Sequence, residues 1–146
     1  MLEKSTDELE KILNFIDDEK SLGKYIEQTL SNEPLTMIQY IKDICLKKNI
    51  SKTLLIQQSD IQRNYGYQIL SEKRCPSRDN VIKICIGGQF SLEETNRTLT
   101  LGGYSKLYAK NARDSIIIFC INKCLNITKT NLLLDQYNQL PLGDVK

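Results

Sequence analysis

The sequence predicts an all-α protein on three observations. Glycine and proline are scarce, at seven and three in 146 residues; apolar residues recur at three- and four-residue spacings; and no stretch alternates as a half-buried strand would. With 40% apolar and 26% charged side chains, the chain has the length and composition of one ordinary globular domain. The longest apolar run, residues 116–121, falls far short of the about 18 residues a membrane span needs. The acidic start lacks the basic and apolar regions of a secretion signal, so a cytoplasmic protein without a membrane association is expected.

The elements follow in order. Leu9, Ile12, Leu13 and Ile16 form one stripe behind Ser5, Thr6 and Asp7, and Leu22, Tyr25, Ile26 and Leu30 form a second that stops before Pro34, so 1–33 reads as acidic N-terminal helices. Residues 35–48 predict a third helix with Ile38, Ile41, Ile44 and Cys45 toward the core. Short helices follow near 51–58, 62–72, 78–88 and 92–101, and two more near 112–123 and 127–137.

The last four helices are two copies of one hairpin. A shift of 35 residues superposes Arg78 and Asp79 on Arg113 and Asp114, Ile82 on Ile117, Cys85 on Cys120, Thr95 and Asn96 on Thr130 and Asn131, and Leu99 on Leu134. Two copies are too few for a solenoid. At each joint an apolar residue precedes a Ser or Asn placed to cap the next helix: Ile50 and Ser51, Phe90 and Ser91, Leu125 and Asn126, with Glu94 completing a capping box at Ser91. Asp79 and Asp114 lie where a carboxylate complements the helix dipole. Gly87, Gly88, Gly102 and Gly103 read as helix stops, because a phosphate-binding glycine loop needs a preceding strand.

There is no histidine and no tryptophan, which removes the usual general base and a common zinc ligand; no enzyme, metal or other cofactor is expected. The five cysteines, at 45, 75, 85, 120 and 124, include no C-x-x-C pair and suit a reducing compartment as small buried hydrophobes. The net charge of +2 averages opposite segments. Residues 1–33 carry four lysines against nine carboxylates, whereas residues 47–78 carry seven cations against only Asp60 and Glu72. A basic stripe on a small domain is the footprint expected for a polyanion, with an ordinary solvated face as the alternative.

Within that basic window Ser51 opens a short helix, Asp60 sits at a turn, a second helix begins at Gln62, and Lys73-Arg74-Cys75-Pro76-Ser77-Arg78 forms a basic exit. With Leu55, Ile61, Arg63, Ile69, Val81, Ile82 and Ile84, this pattern resembles the helix-turn-helix of the Cro and phage-repressor (XRE) family over residues 35–101. Three positions depart from the family: Asp60 replaces the turn glycine, Ile56 a small alanine, and Gly66 a branched apolar residue. Asp tolerates the left-handed conformation, and the large-for-small exchange at facing positions conserves volume.

The resemblance implies a repressor-like helix-turn-helix DNA-binding domain at 34–104, with 105–146 as an added helical hairpin, either separate or part of one compact domain with it. It also implies a sequence-specific transcriptional regulator that binds double-stranded DNA. Gln62, Arg63, Asn64 and Tyr67 would then meet base edges, since Gln and Asn pair with adenine and Arg with guanine. Lys52, Tyr65, Lys73, Arg74 and Arg78 would contact phosphate. Two half-sites call for a homodimer, for which the apolar excess at Ile118, Phe119, Leu132 and Leu133 is the candidate surface, unless the N-terminal helices cover it. The alternative reading is a helical protein-interaction module, an adaptor or antitoxin-like partner using the C-terminal hairpin, without specific DNA binding.

Overall fold

A computed structural model of the chain describes residues 35–143 and, ahead of them, Glu19, Lys20 and Leu22, which are helical. The chain divides into two compact units, Met1–Pro34 and Leu35–Lys146, so no division falls at 104. Apart from Leu22, the two N-terminal stripes lie outside the described residues. The second unit is all-helical: α1 (Met37–Lys47), α2 (Lys52–Gln58), α3 (Arg63–Leu70), α4 (Arg78–Gly87), α5 (Leu92–Leu101), α6 (Ala112–Asn122) and α7 (Ile127–Gln136). No strand occurs among the described residues, and none of their helices is long and apolar enough to cross a membrane.

Each helix begins on a side-chain cap. Ser51, Ser77, Ser91, Asn111 and Asn126 accept from the backbone N–H three residues on. Ser91 with Glu94 forms the expected capping box, and Thr36 with Gln39 forms another. The ends are equally uniform. Asn49, Glu72, Gln89, Cys124 and Asn138 have φ between 55° and 64°, and Gly103 has φ 80°. In each case the following residue bonds back five positions, as Lys73 N–H does to Gln68 O and Phe90 N–H to Cys85 O. The stops therefore rest mostly on non-glycine residues in the left-handed region. Gly87 has a different role from a stop: it lies in α4, and a Cβ there would come within 2.4 Å of Ser59 Oγ. Its missing side chain lets the end of α2 lie against α4.

α4 is the centre of the unit, buried continuously from Asn80 to Gly87, with α2, α5 and α7 packed on it. The core gathers Ile41, Leu55, Ile69, Val81, Ile82, Leu99, Ile117 and Leu134, each at most 2% exposed. Cys45, Cys85 and Cys120 are buried within it. Burial raises all three thiols, and pushes Cys85 up to about 12 although Thr98 and Thr95 hydrogen-bond to it. Thiols so disfavoured as thiolates are packing groups.

The volume exchange between α2 and α3 is visible in the geometry. A Cβ on Gly66 would lie 2.7 Å from Ile56 Cγ2. The cavity left among Leu55, Ile56, Ser59, Ile61, Gly66, Leu70 and Ile84 is about 10 Å³, at the lower limit of what a water molecule occupies. Asp60, with φ 54°, adopts the left-handed turn in the glycine's place.

Two predictions follow from this packing. Gly66→Ile should destabilise by about 1–3 kcal/mol through overpacking, and adding Ile56→Ala should restore most of the loss; additive melting temperatures would refute the pairing. Glu94 is held below the ordinary carboxylate value of 4.5: burial acts upward, but the Ser91 N–H and the Lys48 ammonium outweigh it. A depressed carboxylate stabilises fully above its unfolded value and loses that contribution as pH falls through its folded one. Glu94→Gln should therefore cost about 0.5–1 kcal/mol at pH 7 in denaturant melts, with the gap closing well below pH 4.5.

Candidate nucleic-acid interface

The candidate interface is built on the start of α3. Gln62 is its N-cap, accepting from Tyr65 N–H at 3.3 Å through Oε1, so this side chain opens the helix as well as facing outward. A carbonyl oxygen has a second lone pair and the amide nitrogen two protons, which leaves Gln62 able to pair with a base edge. Arg63 and Asn64 follow, both exposed. The Arg63 guanidinium lies 5.9 Å from the Tyr67 ring centroid, and the Tyr67 hydroxyl shares a 2.7 Å hydrogen bond with Thr53 Oγ1 of α2. Tyr67 is thus fixed at one end by α2 and covered by Arg63, and it holds the cation on the same surface as Gln62 and Asn64. Thr53 was not among the expected site residues; only the packing of α2 on α3 reveals it.

The flanks are basic. Lys52 is exposed in the first turn of α2, and Lys73 and Arg74 are exposed just after α3, where both backbone N–H groups bond Gln68 O at 2.9 and 3.2 Å. This end of the loop is therefore a shaped part of the fold. Glu72, in the same turn, accepts from Thr36 Oγ1 at 3.3 Å. Tyr65 faces inward more than expected: it is half-buried, and its hydroxyl accepts from Asn80 Nδ2 at 3.4 Å.

Arg78 requires a correction. The sequence suggested a phosphate contact, but its guanidinium is consumed within the fold: it donates to both carboxylate oxygens of Asp114, at 3.3 and 3.0 Å, and to the carbonyls of Ser105 and Lys106. Arg113 does the same in reverse, donating to both oxygens of Asp79 at 3.0 and 2.8 Å and to the carbonyls of Leu140 and Pro141. Each repeat's arginine grips the other repeat's aspartate and the tail of its own. Beyond complementing their helix dipoles, then, the two aspartates lock the hairpins together.

Of the expected dimer residues, Phe119 and Leu132 are exposed, at 50% and 65%, while Ile118 and Leu133 are half-buried. No group of three or more metal-ligating side chains occurs among the described residues. Comparison with known proteins found no matching family model, no matching curated protein and no matching solved structure.

Arg78→Ala should lower stability by about 2–4 kcal/mol, because it strands a nearly buried carboxylate. Arg74→Ala should leave the melting temperature within about 2 °C of the parent. Thermal melts of the two variants side by side check the distinction; equal losses would return Arg78 to the surface set.

Proposed function

We propose that the protein is a sequence-specific, double-stranded-DNA-binding regulator of bacterial or phage helix-turn-helix type, with α3 as the reading element. The observation that carries this reading is the start of α3, where Gln62, Arg63 and Asn64 stand side by side and exposed. Those three side chains have the donors and acceptors that adenine and guanine edges match in the major groove. An α-helix with its side chains is about 10–12 Å across, which a major groove about 12 Å wide admits. The exposed Lys52 in the first turn of α2 and Lys73 and Arg74 just after α3 would supply the phosphate contacts that set register. Arg78 is left out of that set.

Specific affinity of this type comes from two half-sites, so the reading includes a pair of subunits on DNA. The exposed Phe119 and Leu132, with the half-buried Ile118 and Leu133 beside them, are the surface on which such a pair would form.

Selection from a random duplex pool at near-physiological salt, with Arg63→Ala run in parallel, tests the proposal. The expected outcome is a motif of two half-sites that Arg63→Ala loses, with affinity for the selected site falling about 10- to 100-fold. Affinity should also drop steeply as salt rises. Weak salt-sensitive binding without an enriched motif would overturn the reading in favour of a protein-interaction module.

A further inference from the structure

The duplication supplies a template for a surface that the DNA-binding reading does not use. The reciprocal bonds of Arg78 to Asp114 and Arg113 to Asp79 have the form of an internal two-fold, residue i meeting j and j meeting i. The correspondence runs past the hairpins: Leu107 N–H bonds Asn96 Oδ1 at 2.9 Å, and Leu142 N–H bonds Asn131 Oδ1 at 2.7 Å. Corresponding surfaces can therefore be compared residue by residue.

In the first repeat the outer face is covered. α2 packs on α4, where Ile84 is 3% exposed, and α1 packs on α5, where Thr98 is fully buried. The closing contact is ionic: Lys48 Nζ lies 3.1 Å from Glu94 Oε1 and also donates to Gln89 O. Among the described residues, the second repeat has the same face without the cover. Phe119 stands for Ile84, Leu132 for Arg97 and Leu133 for Thr98, and Phe119 and Leu132 are exposed. The charge is inverted as well. Lys129 takes the position of Glu94, and Lys123, with Nζ 6.0 Å from the Phe119 ring centroid, takes that of Gly88.

We propose that this face of the C-terminal hairpin docks an acidic amphipathic helix of a partner protein, lying where α1 and α2 lie on the first repeat. Its apolar side would cover Phe119, Leu132 and Leu133, and its carboxylates would meet Lys123 and Lys129 as Lys48 meets Glu94 in the opposite sense. The inverted charge excludes a swapped copy of α1, whose Lys48 would face Lys129. The mode is a helix in an apolar groove, with anchors recurring at three- and four-residue spacings. The proposal stands independently of DNA binding.

The test is selection of a displayed library of amphipathic helical peptides on the full chain, counter-selected against Leu132→Asp. Enriched peptides should carry Leu, Ile or Phe at helical spacing flanked by Asp or Glu. A selected synthetic peptide should bind Leu132→Asp and Lys129→Glu at least tenfold more weakly, and its Glu→Lys version should bind Lys129→Glu better than the parent. Lys129 is exposed, so its exchange keeps the test decisive if Leu132→Asp disturbs the fold. No enrichment, enrichment of neutral or basic peptides, or binding indifferent to both variants would overturn the proposal. So would a dimer, seen by sedimentation of the full chain, that Leu132→Asp dissociates, since the face would then belong to a second copy.

Discussion

The structure depends on α4 being enclosed along its length, and on the exchanged arginine–aspartate pairs that enclose it. A helix buried from Asn80 to Gly87 has no face left for solvent, so its neighbours must come close. Gly87 permits this on the α2 side, where a methyl group would collide with Ser59. At the other end of the helix Arg78 and Asp79 reach across to Asp114 and Arg113. Four hydrogen bonds to tail carbonyls then satisfy the rest of the two guanidinium groups, whose side chains are only 21–24% exposed. Such pairs add specificity more than raw stability, since only one arrangement of the two hairpins lets all four charges meet.

That frame leaves the polar start of α3 outward-facing and rigid. α3 rests on α2 through the Ile56 and Gly66 contact and the Thr53 and Tyr67 hydroxyls, and on α4 through Tyr65 and Asn80. Side chains held this way lose little further freedom on meeting a ligand. Four of the five arginines separate into two kinds by environment: Arg63 and Arg74 face water, while Arg78 and Arg113 are spent on the fold.

Much of this was legible in the sequence because it is local. Helix bounds follow from apolar spacing and capping residues, and the Ile56 and Gly66 exchange follows from two departures at facing positions. The joints were legible as positions but not as conformations. Asn49, Gln89 and Cys124 carry no common side-chain chemistry, and the backbone hydrogen bonds that hold their positive φ are indifferent to the residue type. The true length of the repeat was hidden for a similar reason: Ser105 matches Leu140, and Lys106 matches Pro141, only through the carbonyls they offer to arginine. Arg78 misled because an arginine inside a basic run looks alike whether it faces water or a carboxylate 36 residues away.

The uniform joints also shape how the chain finds its structure. Helices adjacent in sequence are neighbours in space, as α4 with α5 and α6 with α7, so each hairpin closes a loop of only a few residues at small entropic cost. A topology rich in such local contacts favours rapid folding. The arginine–aspartate exchanges span 34 and 36 residues and join the first helix of one hairpin to the first helix of the other. They act with the packing of α7 on α4 and of α6 on α5 to fix the mutual orientation of the two hairpins.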